Sequence, residues 1–233
     1  LRNEVDGRFY VEHYVQHLTH EMKSPLAAMQ GAAELLAEEN LPAEERARFA
    51  QNALLQTARL QNLIDKLLRL AQLEQQRELE NVRTVFIADL FSDQKKAFSL
   101  REKEKNIALN LDSEEALSVS CEPFLIGLAL SNLIENAFDF SPQNSRIFCR
   151  AVKEENILKI TVKDEGKGVE NYAKERLFER FFSCPRPDTN IKSTGLGLSL
   201  VAEIAKLHGG EITLENHPQG GAIATLKIAL KNN

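Results

Sequence analysis

Apolar positions along the first part of the chain recur in alternating steps of three and four. Val11, Val15, Leu18, Met22, Met29, Ala33 and Leu36 share one stripe, with Leu26 beside it. After Asn40-Leu41-Pro42 the pattern restarts at Ala50, Ala53, Thr57, Leu60, Ile64, Leu67 and Ala71. This spacing predicts two long helices carrying a bundle seam, with Pro42 suited to the first turn of the second. Two helices joined by a short turn cannot enclose a core alone. Pairing two hairpins into a four-helix bundle is the economical solution and predicts a homodimer; a hairpin packed on the rest of its own chain is the alternative.

From Asn81 onward the period changes. Short alternating or β-rich runs occur at Thr84–Ile87, Ile107–Leu111, Leu117–Cys121, Arg146–Val152, Leu158–Lys163, Glu211–Glu215 and Ala222–Ala229. Helical patterns fall between them at Leu90–Lys103, Pro123–Phe138 and Leu196–Leu207. Helices mixed with hairpin strands predict an α+β sandwich in which helices cover one face of a sheet. The boundary is expected between Gln75 and Thr84, with a helical hairpin over 1–80 and the sandwich over 81–233.

Composition narrows the classes. The formal net charge is −5, from 29 basic and 34 acidic residues. The two signs are interspersed, so no basic stripe suits nucleic acid. Cys121, Cys149 and Cys184 are odd in number and lack metal-ligand spacing, which points to free thiols in a reducing compartment. The longest apolar run, Phe124 to Leu130, is far shorter than the ~20 residues of a membrane span. No signal peptide is visible, and the chain opens on Leu1, charged from Arg2. These features lead us to expect a soluble piece of something longer.

Candidate chemistry begins at Thr19-His20-Glu21-Met22-Lys23-Ser24-Pro25-Leu26. Imidazole as a class titrates near 6.5, so much of it is neutral and nucleophilic around neutral pH. A neighbouring carboxylate can accept one ring N–H and leave the other nitrogen free to attack. Asn132 and Asn136 are four apart, so both amides project from one helix face, and an amide carbonyl is a suitable oxygen ligand for Mg²⁺. In Asp164-Glu165-Gly166-Lys167-Gly168 the carboxylate can accept from an amino group while the glycines let backbone approach a flat ring. Leu177-Phe178-Glu179-Arg180-Phe181-Phe182 is an aromatic cluster, either a local core or part of a lid. Ser193-Thr194-Gly195-Leu196-Gly197-Leu198 opens a helix, where exposed N–H groups and the helix dipole favour phosphate. Residues 165–194 carry little strand pattern and read as a long functional loop. His13 and His17 read as solvated, His208 as a cation at a helix C-terminus, and Pro25 as a bend after His20.

These five blocks, in this order, resemble those of bacterial two-component sensor histidine kinases, and the likeness covers nearly the whole chain. Lys23–Ala28, Asp139–Pro142 and the opening residues resemble the carbon-source-responsive type of Gram-negative bacteria. The resemblance implies a dimeric four-helix bundle followed by an ATPase sandwich of the GHKL (Bergerat) type. It implies that His20 is phosphorylated from Mg·ATP, with ADP as product, and passes the phosphoryl group to an aspartate of a response regulator. Glu21 would orient His20, and Ser24 would occupy the place of a water-positioning phosphatase residue. Asn136 would ligand Mg²⁺ and Asn132 support the phosphates. Asp164 would bond the adenine amino group, Gly166 and Gly168 would shape that site, and Thr194, Gly195, Leu196, Gly197 and Leu198 would cradle phosphates. A hinge near Gln75–Thr84 would let the ATP-binding part reach His20. A membrane link would run only through a missing N-terminal sensor, leaving this piece as the cytoplasmic part of an inner-membrane protein.

Three positions depart from the commonest pattern. Asp139 and Ser183 stand where basic residues are frequent, and Ser24 stands where Thr or Asn is common. Arg180 and Lys192 are the candidate replacements for phosphate contact. Two other readings stay open: a GHKL ATPase without phosphohistidine, and a degenerate kinase serving as a dimeric nucleotide-binding scaffold.

Overall fold

The computed structural model describes residues 2–188 and 193–230, with side chains from Val15 onward except that of His17. Two compact units divide the chain, Leu1–Arg69 and Leu70–Asn233.

The first unit is built on α1 (Arg2–Leu36) and α2 (Ala43–Gln75), whose C-terminal end belongs to the second unit. Pro25 sits inside α1. It offers no N–H to the carbonyl of Glu21, four residues earlier, so the ladder has a gap one residue past His20. Pro42 precedes α2, and its carbonyl accepts the Arg46 N–H at 2.9 Å. Glu44 and Glu45 follow in the first turn, where carboxylates favour the helix N-terminus. The expected seam is only half-covered. Leu18, Met22, Met29, Leu60, Ile64 and Leu67 are half-buried, while Val15, Ala33, Thr57 and Ala71 are exposed. Among the described residues of this unit the buried positions are instead Pro25, Ala32 and Leu63, beside the seam. A single neighbouring helix can cover only one flank of such a stripe, which is why the seam residues stay partly open.

In the second unit the expected runs form seven strands among the described residues, each within two residues of its expected bounds: β1 (Arg83–Phe86), β2 (Ala108–Ser113), β3 (Ser118–Cys121), β4 (Arg146–Glu154), β5 (Ile157–Lys163), β6 (Glu211–Asn216) and β7 (Ala222–Ala229). The helices are α3 (Ile87–Lys105), α4 (Pro123–Phe140), the short α5 (Asn171–Lys174) and α6 (Gly197–Leu207). Ile87, expected to end a strand, instead starts α3 and is fully buried, its N–H donating to Leu117 O. Tertiary burial there outweighs its β-branched propensity.

β1 and β3 pair antiparallel as a two-stranded ribbon, and the main sheet has the order β2-β4-β5-β7-β6, parallel only between β2 and β4. Alternation places Ile147, Cys149, Ala151, Leu158, Ile160, Val162, Ala224, Leu226 and Ile228 on the covered face. Arg146, Phe148 and Arg150 point to the open face. α3, α4 and α6 cover the inner face. α4 is buried along most of its length, and Pro123 at its start costs no helical hydrogen bond.

Candidate active site

Asn132, Asn136 and Phe140 follow one another at steps of four on α4, so they share a stripe about 12 Å long. At one end Asn132 is 5% exposed, and its Nδ2 donates to Leu128 O at 2.8 Å. Its Oδ1 is buried without a hydrogen-bond partner among the described residues. That oxygen faces Gly197, where an added Cβ would stand 3.1 Å away. At the other end the Phe140 carbonyl faces Gly166, whose Cβ would come within 2.5 Å of it. Half-buried Asn136 therefore lies between the two glycine elements that the sequence singled out.

Asp164 directly follows β5, two residues before the Gly166 that meets this stripe. Its Oδ1 accepts the N–H of Gly166 at 2.8 Å and of Ala222 at 3.1 Å. Burial pushes its pKa above the ordinary carboxylate value, and the two N–H bonds only partly oppose that. The second oxygen has no protein partner among the described residues, so it is free to accept from a ligand. Gly168 is held by Asn216, whose amide accepts from Val169 N at 2.6 Å and donates to Val169 O at 2.8 Å. The missing side chains of Gly166, Gly168, Gly195 and Gly197 face Phe140, Asn216, Phe181 and Asn132, respectively. Their closest approaches are thus to protein atoms, which leaves little room for a side chain at any of the four.

The long loop is more structured than its composition suggests. α5 occupies its first half, with Ala173 fully buried, and Leu177 is buried while Phe178, Phe181 and Phe182 are half-buried. Two rungs close the distal part: Phe181 N donates to Gly195 O at 3.0 Å, and Ser183 Oγ to Ser193 O at 2.9 Å. Phe181 has φ +62, rare for a bulky residue, and Gly195 has φ +66. A Cβ on Gly195 would lie 2.4 Å from the Phe181 carbonyl carbon. Beyond these rungs Thr194 is half-buried, Leu196 fully buried and Leu198 half-buried. α6 starts without a side-chain cap, which leaves its first-turn N–H groups without a side-chain acceptor.

Of the two candidate cations, Arg180 is ion-paired with Glu74 near the end of α2, and Lys192 lies outside the described residues. Asp139, 8% exposed at its side chain, is clasped by Arg101 and Arg186, a pairing that no local pattern signals. On α1, His20 and Ser24 are exposed and Glu21 is half-buried; the side chains of His13 and His17 lie outside the described residues.

His208 is not the helix-end cation that its position suggests. It is buried, its ring Nδ1 stands 2.8 Å from Ile204 O, and Nε2 accepts the Glu122 N–H at 3.4 Å. Burial lowers its pKa, so it serves as a neutral bridge rather than a cation. Cys121 and Cys149 are buried thiols and Cys184 is half-buried; burial pushes Cys121 up to about 11 and Cys149 up to about 12, which makes both poor nucleophiles. Among the described residues no cluster of three or more His, Cys, Asp or Glu could hold a metal. A groove of about 300 Å³ between α3 and edge strand β2 is lined by Phe91, Lys95 and Leu109 and contains none of these site residues.

Residues 11–76 match the His Kinase A (phospho-acceptor) domain, and residues 122–232 match the histidine kinase-, DNA gyrase B-, and HSP90-like ATPase family. The chain is 43% identical to sensor protein CreC of Escherichia coli over 98% of its length. The chain belongs to the sensor histidine kinase family. It is also 30% identical, over 92% of its length, to the sensor-like histidine kinase SenX3 of Mycolicibacterium smegmatis. The chain spans about half of these curated relatives, 47% of CreC and 56% of SenX3. Its fold matches the Acinetobacter baumannii histidine kinase AdeS at a TM-score of 0.74, with 24% identity, 91% of this chain and 98% of that one. It also matches histidine kinase ThkA, solved in complex with response regulator TrrA, at a TM-score of 0.78, with 20% identity, 99% of this chain and 65% of that one. In this member of the family the residues matching the ATPase model hold the asparagine stripe and Asp164, and α1 carries His20. No helix among the described residues is long and apolar enough to cross a membrane.

Proposed function

We propose that this chain is the core of a protein-histidine kinase that phosphorylates His20 from Mg·ATP and passes the phosphoryl group to an aspartate of a response regulator. The observation that carries the reading is the stripe on α4. It links Gly197, at the uncapped start of α6, to the Asp164 turn through Asn132, Asn136 and Phe140. An adenine amino group donates to the free oxygen of Asp164, and the phosphates lie toward the first N–H groups of α6. Gly166 and Gly168 shape the turn around the base, while Thr194, Gly195, Leu196, Gly197 and Leu198 form the phosphate end.

The amide oxygen of half-buried Asn136 is a hard neutral ligand and would hold a Mg²⁺ ion. The orphaned Oδ1 of Asn132, one turn earlier, leaves a second polar atom open at the phosphate end. When bound, Mg²⁺ would neutralise phosphate charge. In the transfer, a ring nitrogen of His20 forms the new P–N bond as the bond to the β-phosphate oxygen breaks and ADP leaves. Glu21 accepts the other ring N–H and fixes the tautomer. Positioning carries most of the acceleration.

The remaining proposals follow from the same reading. Domains over 1–80 and 81–233 meet near Gln75–Thr84, where a hinge lets ATP reach His20. The half-open seam on α1 and α2 supports a homodimer, and the exposed Leu54, Leu55 and Leu68 on α2 add apolar surface to be covered. Ser24 serves phosphatase activity toward the regulator. A missing N-terminal sensor ties this cytoplasmic piece to the inner membrane.

Incubating the chain with γ-labelled ATP and Mg²⁺, alongside His20→Gln, tests the proposal. Acid-labile, base-stable label in the parent and none in the variant is the expected result. Label that survives in the variant moves the acceptor elsewhere, and an unlabelled parent favours the scaffold reading.

A further inference from the structure

Asp139 stands three residues beyond Asn136 on α4, about one helical turn along the same side. Arg101 of α3 bonds its Oδ1 through Nη2. Arg186 reaches Oδ2 through Nε at 2.7 Å and Nη2 at 2.5 Å. Arg101 also lies over the Phe138 ring at 5.6 Å and within 3.8 Å of Glu135. Next to it, Asp188 pairs with Lys105 at 3.2 Å, and Lys105 donates to Phe138 O at 2.8 Å.

Two further features show that this clasp is built. Arg186 lies between Pro185 and Pro187, whose rings fix their own φ and bias the residue before each toward extended backbone. The guanidinium is thus presented from a stiff segment, at a low entropic cost of ordering. Second, one buried carboxylate serves two arginines, each about a third exposed. If Arg186 leaves, Arg101 still pairs Asp139, so no orphaned buried charge remains. Guanidinium binds phosphate with the same forked geometry as carboxylate.

We propose that Asp139 is an internal competitor of the nucleotide's phosphates: it occupies Arg186 in the nucleotide-free protein and yields that guanidinium when a triphosphate enters. Asp139 is a positioning residue, and the inference rests on the nucleotide-site reading above. The departure at position 139 then sets the affinity for the triphosphate rather than abolishing it.

Calorimetry of the full chain with Mg·ATP and with adenosine, which has no phosphates, tests this. Asp139→Asn tightens ATP binding about tenfold, the scale of one charge-assisted bond, and leaves adenosine binding unchanged. In an Arg186→Gln background the same Asp139→Asn change has no effect on ATP. An unchanged or lowered ATP-to-adenosine affinity ratio in Asp139→Asn overturns the proposal, as does a gain that persists without Arg186. In the unmodified protein, the Arg186 Nε–H resonance moves on adding ATP but not on adding adenosine. A resonance that stays fixed while ATP binds overturns the proposal even if Asp139→Asn fails to fold. A parent that binds neither ligand overturns the nucleotide reading itself, and this proposal with it.

Discussion

Replacing Asp164 by asparagine separates what this carboxylate does for a ligand from what it does for the fold. Oδ1 already accepts two backbone N–H groups, from Gly166 and Ala222, and an asparagine oxygen can keep both. The other oxygen becomes an NH₂, which faces the adenine amino group donor to donor. A hydrogen bond to a charged acceptor contributes about 1.5–3 kcal/mol, so ATP affinity should fall about 10- to 150-fold. Stability should move the opposite way. Burial raises the folded-state pKa of Asp164 above the ordinary carboxylate value. Stability linked to such a group is fully present below its unfolded pKa and is lost as pH rises through the folded one. At neutral pH the buried acid therefore costs stability, and the neutral amide removes that cost. Calorimetry with Mg·ATP, paired with urea unfolding near pH 7 and near pH 5, reads both effects. Unchanged ATP affinity in Asp164→Asn, or a lower urea midpoint at neutral pH, would rule out this role for Asp164. Asp164→Ala is the contrast: it strips the acceptor from two N–H groups and should lower the midpoint.

Gly221→Ala should destabilise far more than Gly220→Ala when their thermal midpoints are compared. Both have positive φ, but a Cβ on Gly221 would stand 2.0 Å from the Asp164 carbonyl oxygen, whereas one on Gly220 meets nothing within 4 Å. The left-handed conformation alone costs about 1–2 kcal/mol, so Gly220→Ala should lose only that. His208 has a pKa lowered by burial, so its linked stability is present above its unfolded pKa and disappears as pH falls through the folded value. Melting curves across mildly acidic pH should show this loss in the parent and a smaller one in His208→Gln. Pro25→Ala restores the N–H that the Glu21 carbonyl lacks; assays of His20 phosphorylation and regulator dephosphorylation should show the ratio of the two changed.

Much of the architecture was legible from local patterns. The two helical stripes, the seven alternating runs and the breaks at Asn40–Pro42 and beyond Gln75 each follow from side-chain period and turn chemistry within a few residues. The candidate site was legible to the same depth, because Asn132, Asp164 and the glycines are chemically distinctive where they stand. Their neighbours were not. Ile87 became a helix start because it fits a closed core. His208 became a neutral bridge because Glu122, 86 residues away, lends its N–H. Arg180 met Glu74, while Asp139 gathered Arg101 and Arg186, from 38 and 47 residues away in the chain. Period and propensity act over one or two turns, so local pattern suffices for the elements and the types of group they carry. Which charge faces which, and which polar atom is buried, depends on how segments far apart in the chain pack together, and no local pattern contains that.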